Sequence, residues 1–189
     1  MIQGKKLPLF WLVGALVCSV LVLLLVCSGL SGKVIVINPE DIHEATEKLL
    51  QTVRAGDWAA LDDVVAGDSI SAPATGELDS AERFIFESFQ DSLQWNIQED
   101  YQIQGPYVTK KVTVSCLDIV QVTSDMAEIL KNTESSDPAF LRSAAETVLN
   151  SASPLLQRDI TLTFRREEHQ WRAVPNSALQ ALLSGFITH

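Results

Sequence analysis

Residues 95–116 read WNIQEDYQIQGPYVTKKVTVSC, and they decide the fold because their apolar side chains recur at every second position. Such alternation is typical of strands that bury one face. Gly105 and Pro106 interrupt it and predict a turn, so we expect an antiparallel hairpin whose second strand runs from Tyr107 to about Thr123. A two-residue turn predicts these opposed pairs: Trp95 with Cys116, Ile97 with Val114, Ile103 with Val108, and, on the other face, Asp100 with Lys111.

A second hairpin is predicted near the C-terminus, from residues 160–166 and 169–174. A turn at Glu167 and Glu168 places Phe164 opposite Trp171. The same register places Leu162 opposite Ala173, again on one apolar face. The two hairpins therefore predict an antiparallel sheet that buries one side.

Three helices are predicted before the sheet, each opened by a residue that accepts hydrogen bonds from the first turn. The first two end at glycine, which adopts the left-handed conformation that closes many helices. The three predicted segments run from Asn38 to Gly56, from Asp57 to Gly67, and from Asp79 or Ser80 onward.

Between the hairpins the pattern changes again to helical spacing and predicts an insert at about residues 125–154. Asp125 starts a short helix there, and Asp137 with Pro138 starts a longer one. Asn176 or Ser177 caps a last helix. The fold class predicted from these segments is α+β.

Residues 8–30 contain no charged side chain, and Lys5 and Lys6 stand immediately before them. A run of this length covers the roughly 30 Å apolar core of a bilayer. We therefore expect a cytoplasmic segment 1–7, a transmembrane helix 8–30, a linker 31–37 and an extracytoplasmic domain 38–189, since positive flanks stay inside. Lipidation of Cys27 and cleavage after Ser28 or Gly32 are alternatives that leave the domain outside the cell membrane.

The chain carries 14 basic and 24 acidic residues. Without Lys5, Lys6 and Lys33, its remaining part has 11 basic residues against 24 acidic ones, a net charge of −13. Such a negative field repels nucleic acid, so no nucleic-acid partner is expected. With Cys18 and Cys27 in the apolar run, only Cys116 lies outside it, and no disulfide is expected within the domain.

Residues 55–58 (AGDW) and 161–174 (TLTFRREEHQWRAV), in this order of elements, resemble the nuclear-transport-factor-two-like superfamily. The likeness is to uncharacterised bacterial domains behind a membrane anchor or lipoprotein signal. The resemblance implies a ketosteroid-isomerase-like cone in which three helices pack on a curved antiparallel sheet. The helical insert departs from that pattern, and it either covers the mouth of the cone or serves a partner.

The polar residues on the predicted concave face are the candidates for a site. Asp118 shares a predicted strand face with Val114 and Val120, where burial would raise the pKa of its carboxyl. A bulge after Cys116 would instead turn Asp118 outward. No catalytic set is assigned, and Asp118 is the single catalytic candidate. The candidate pocket residues are Trp95, Glu99, Tyr101, Asp118, Phe164, Arg166 and Trp171.

No metal site and no cofactor are expected from the sequence. His43 and Glu47 lie one helical turn apart, but the second histidine of a zinc-binding helix is missing. The chain also lacks a glycine-rich phosphate loop.

Three hypotheses on function follow. The leading one is a membrane-tethered extracytoplasmic domain without catalytic activity that binds a small ligand or an unknown protein partner. The second is a small-molecule isomerase or dehydratase that uses Asp118. The third is an assembly subunit of an envelope complex whose main interface is the single transmembrane span.

Overall fold

The computed structural model describes residues 37–67, 78–131, 137–151 and 155–186. The predicted cytoplasmic segment, the transmembrane helix 8–30 and nearly all of the linker lie outside this part of the chain. Among the described helices, none combines the length and the apolar character that crossing a bilayer requires. Described residues from Asn38 onward belong to one compact unit.

The described part is α+β, with six α-helices, a short 3-10 helix and a four-stranded antiparallel sheet. The first three α-helices precede the sheet, two more lie between its second and third strands, and one follows the last strand. The elements are α1 Pro39–Ala55, the 3-10 helix Trp58–Ala60, α2 Leu61–Val64, α3 Ser80–Ser92, β1 Gln94–Gln104, β2 Tyr107–Leu117, α4 Ile119–Leu130, α5 Pro138–Ser151, β3 Leu155–Glu167, β4 Gln170–Ala173 and α6 Ser177–Leu183.

The predicted helix starts before the sheet are confirmed. Asn38 accepts a hydrogen bond from the backbone of Glu40, and Asp79 forms a capping box with Glu82 at the start of α3. Gly56 ends α1 with a φ of 63°. A side chain there would meet the amide of Gln90, so this position requires glycine for both conformation and space.

The first hairpin has the predicted turn and a different register. Ile103 pairs with Val108, as predicted, but Trp95 pairs with Val114 instead of Cys116. Between Ile97 and Tyr101 strand β1 advances four residues while β2 advances two, which is a bulge. Because two is an even number, every apolar side chain keeps its predicted face. The pairings beyond the bulge were wrong, and so was that of Asp100 with Lys111, because Asp100 lies within the bulge.

The second hairpin turns one residue later than predicted. Glu168 and His169 form the turn, and both have positive φ, as in the tight turns that join antiparallel strands. Phe164 therefore pairs with Ala173, and Arg166 pairs with Trp171. The predicted pairings of Phe164 with Trp171 and of Leu162 with Ala173 were therefore wrong by two residues, although the apolar face is as predicted.

The predicted strand from Tyr107 to Thr123 was wrong, because β2 ends at Leu117 and helix α4 begins at Ile119. The predicted start of a helix at Asp125 was wrong for the same reason. Asp118 caps α4 by accepting a hydrogen bond from the backbone of Gln121. The buried residues of this helix recur at helical spacing: Ile119, Val122 and Met126.

One face of the sheet forms the core. Helices α1, α3 and α6 contact this sheet, and alternate residues of β2 and β3 are buried. The intervening residues, such as Thr109, Thr161 and Arg165, are half-buried or exposed. The buried set on these two strands comprises Val108, Lys110, Val112, Val114, Cys116, Leu117, Ile160, Leu162 and Phe164.

Candidate functional site

Among the described residues, the predicted pocket residues on the sheet differ in burial. Phe164 and Trp171 are buried in the core, whereas Glu99 and Arg166 are exposed. Trp95 donates its indole N–H to Glu47 of α1 at 2.8 Å. The guanidinium of Arg54 lies 6.0 Å from the centre of the same ring. Trp95 thus joins β1 to α1, and its exposed area is limited by that packing.

Lys110 occupies the inner face of the sheet, which the sequence did not reveal. Its side chain is buried, and its amino group donates to the backbone carbonyl of Glu99 at 2.7 Å. The amino group also lies 5.9 Å from the ring centre of Tyr101. Burial lowers the pKa of Lys110, and the charges of Asp100 and Glu99 partly oppose this shift. The lysine therefore holds the β1 bulge in place from inside the sheet.

Asp118 and Cys116 have structural roles at the end of β2. The Asp118 carboxylate accepts the Gln121 backbone N–H at 3.1 Å and is half-exposed. The hypothesis of a catalytic Asp118 depended on a strand position that this residue does not have. Cys116 is fully buried, and burial raises the pKa of its thiol to about 11, with a further contribution from the Asp118 charge. A thiol in this state is a poor nucleophile at neutral pH.

The largest cavity that we describe lies among helices, away from the predicted pocket. It has a volume of about 710 Å³ and is bounded by α3, α4 and α5. Most of its lining side chains are apolar. The lining residues are Leu78, Asp79, Ala81, Glu82, Ile85, Phe86, Ile119, Val120, Thr123, Ser124, Met126, Ala127 and Leu141.

The cavity exists because α5 packs against both other helices while α3 and α4 contact each other sparsely. Ile85, Ile119 and Met126 form its buried walls. Val120 lies at the mouth with 56% of its surface exposed. A space between helices with apolar walls and an exposed apolar residue at its mouth is suited to an apolar ligand.

The polar groups of this cavity are largely engaged within the protein. Asp79 accepts the backbone N–H groups of Ala81 and Glu82, and Glu82 accepts the N–H of Asp79. Thr123 donates its hydroxyl to the carbonyl of Ile119 at 2.8 Å. The described lining contains no histidine, lysine or cysteine. It therefore offers binding surface and lacks a paired nucleophile and base.

Smaller cavities also lie among the described residues. One of about 510 Å³ adjoins the first and shares Leu78 and Phe86 with it. Another of about 260 Å³ includes Trp171, His169 and Asp63. Within the described ranges, no three His, Cys, Asp or Glu side chains are grouped so that they could hold a metal ion.

Sequence reasoning missed the helical cavity, although two signals for it were present. Helix α3 carries phenylalanines at 84, 86 and 89, which are too widely spread for one buried stripe. Residues 119–127 place apolar side chains on more than one face of a helix, but we interpreted their first half as a strand. Excess apolar surface on adjacent helices is the sign that a groove lies between them.

Comparison with known proteins leaves the family open. No protein-family model matches the chain. No curated protein matches it either. A solved structure of a candidate lipoprotein (ycdA) from Bacillus subtilis subsp. subtilis is similar at 14% sequence identity, with a TM-score of 0.36. The match covers 78% of this chain and 47% of that protein, so this chain spans about half of its length.

A TM-score of this size does not establish a shared fold. The nuclear-transport-factor-two-like resemblance therefore stays a prediction.

Proposed function

We propose that this protein binds a small apolar ligand in the cavity among α3, α4 and α5, without catalysis, and that its N-terminal apolar segment tethers it outside the cell. The observation that carries the proposal is the cavity itself. Its volume of about 710 Å³ falls within the roughly 300–1,000 Å³ of sites that bind small molecules. The predominance of apolar lining residues supports an apolar ligand over a sugar or a nucleotide.

The energy of binding would come from removing apolar surface from water. Val120 is exposed at the mouth, and Phe86 and Leu141 are half-buried in the lining. Each ligand methylene that becomes buried contributes about 0.8 kcal/mol, which is roughly a fourfold gain in affinity. An alkyl chain of moderate length would therefore bind without any charged contact.

The proposal is tested by photolabelling of the full-length protein in nanodiscs of a neutral glycolipid. The probe is an alkyl alcohol that carries a diazirine, and mass spectrometry locates the labelled peptides. We expect labelling within residues 78–92 and 119–127. Label spread evenly over the chain, or confined to the apolar N-terminal segment, would overturn the proposal.

A matched pair of variants makes this experiment specific. Val120 and Ile103 are each 56% exposed, but Val120 lies at the cavity mouth and Ile103 on β1. Val120→Asp should lower labelling of the cavity peptides about tenfold, because a carboxylate at the mouth disfavours an alkyl chain. Ile103→Asp should leave it unchanged, and equal losses in both variants would contradict the assigned site.

The tether is tested separately, by membrane fractionation with mass spectrometry of the mature chain. We expect an intact N-terminus and retention in membranes after an alkaline carbonate wash. The variant Cys27→Ser should be retained equally, because a spanning helix needs no lipid on the cysteine. Release of this variant would instead establish the lipidated alternative.

A further inference from the structure

We infer that the ligand is a single-chain amphiphile with a zwitterionic head, whose chain fills the 710 Å³ cavity and whose head binds in the adjoining 510 Å³ cavity. This inference rests on the proposed function and adds the chemistry of the head. The two cavities share Leu78 and Phe86 and therefore adjoin each other along α3, which places the head site next to the chain site.

The second cavity differs from the first in its charged groups. Arg83 and Glu87 both line it, and they lie four residues apart on α3. Residues at this spacing face the same side of a helix. A guanidinium binds phosphate or carboxylate, and a carboxylate binds an ammonium group. The pair therefore offers one binding partner for each end of a zwitterion.

Arg83 and Glu87 differ from a second Arg/Glu pair of the same spacing in the described structure. Arg142 and Glu146 on α5 form an ion pair at 3.1 Å. Among the described residues, neither Arg83 nor Glu87 forms an ion pair within 4 Å. Both α3 side chains are exposed and line the second cavity, where they are open to a ligand, whereas the charges of the α5 pair contact each other.

Trp58 adds an aromatic wall to the head site. Its ring lies 6.1 Å from that of Phe86, which is 5.8 Å from Phe89. Trp58 is half-buried and lines the second cavity. A quaternary or primary ammonium binds well over an indole face, especially beside a carboxylate such as Glu87. The head site therefore favours an ammonium group together with an anion, as in a phosphocholine or phosphoethanolamine head.

The test is competition against the photoreactive alkyl alcohol on the full-length protein in neutral glycolipid nanodiscs. Competitors share a decyl chain and differ in the head: phosphocholine, phosphate, trimethylammonium or hydroxyl, each below its micelle concentration. We expect phosphocholine to compete about tenfold better than hydroxyl. Arg83→Gln should remove the preference for phosphate, and Glu87→Gln should remove the preference for trimethylammonium.

Matched controls separate this inference from the proposed function. Arg142→Gln and Glu146→Gln change a pair of equal spacing that lines neither cavity, and both should keep the wild-type order of competitors. If all heads compete equally while the alcohol still labels the cavity, the zwitterionic head is refuted and the apolar ligand stands. If the alcohol labels nothing in the cavity, both proposals fall.

Discussion

The inner face of the sheet and the layer of helices α3, α4 and α5 are both rich in apolar side chains, yet among the described residues the cavity of about 710 Å³ lies between the helices, and the one that reaches Trp171 of the sheet has only about 260 Å³. Strands are held about 4.8 Å apart by their hydrogen bonds, so their inner side chains meet and exclude space. Helices pack at about 8–10 Å and leave a groove wherever two of them diverge. In the sheet even Lys110 fills the interior, with 2% of its surface exposed. An apolar face therefore does not by itself distinguish a packed core from a binding site.

The largest expected effect comes from truncating one apolar side chain in the sheet and one in the cavity wall. Leu162 and Ile85 lose the same number of carbons on change to alanine, but Leu162 is packed in the sheet and Ile85 lines the cavity. We expect Leu162→Ala to lower the free energy of unfolding by about 3 kcal/mol, because it creates a new void. Ile85→Ala should lower the free energy of unfolding by only about 1 kcal/mol. Because one side of Ile85 already faces the cavity, its truncation creates less new void.

Chemical denaturation of the two variants measures this difference. Equal losses would mean that the cavity walls are packed as densely as the sheet.

The second prediction concerns the buried thiol at the end of β2. Because the pKa of Cys116 is raised from 9.0 to about 11, the folded protein keeps a proton that the unfolded chain loses above pH 9. The stabilisation is complete below pH 9 and is lost as the pH rises toward 11. We expect a loss of as much as about 2 kcal/mol over this interval.

Cys116→Ala isolates the thiol. The alanine variant is less stable at neutral pH, but the difference from wild type should shrink as the pH rises. Denaturation curves at a series of pH values provide the measurement. A difference that stays constant with pH would show that the thiol is not buried as described.

The smallest effect compares two helix caps beside the cavity. Asp79 accepts two backbone N–H groups and Asp118 accepts one. Asp79→Ala should cost about 1.5 kcal/mol of unfolding free energy and Asp118→Ala about 0.5–1 kcal/mol. Thermal melting gives the ranking, and a larger loss at Asp118 would indicate a role beyond capping.

Local features were largely predictable from the sequence. The caps at Asn38, Asp79 and Asn176 lie where short polar side chains precede apolar runs, and all three accept backbone hydrogen bonds. The turn at Gly105 and the buried face of each strand are also as predicted. Each of these depends on residues only a few positions apart, so pattern alone is informative.

The register of the strands was not predictable in this way. The bulge between Ile97 and Tyr101 accommodates two extra residues, and Lys110 stabilises it from the opposite strand. Both the predicted and the observed register bury the same apolar face. Sequence alternation cannot separate two registers that differ by an even number of residues.

The position of the candidate site was likewise missed, because we interpreted residues 119–123 as strand. An apolar run of this length is consistent with a strand or a buried helix. Asp118 decides between them by capping a helix, and that choice moves Ile119 and Val120 from the sheet to the cavity. The assignment of residues 119–123 to a strand therefore kept the cavity among α3, α4 and α5 from being predicted.

By itself, the sequence determined the α+β class, the order of helices and strands, and the side of each strand that is buried. These properties follow from short-range periodicity, capping and turn chemistry. Only the tertiary structure decided the strand register, the burial of Lys110, and the cavities beside Phe86. These depend on how far apart packed elements lie and on which side chains fill the space between them, and residues distant in sequence set both.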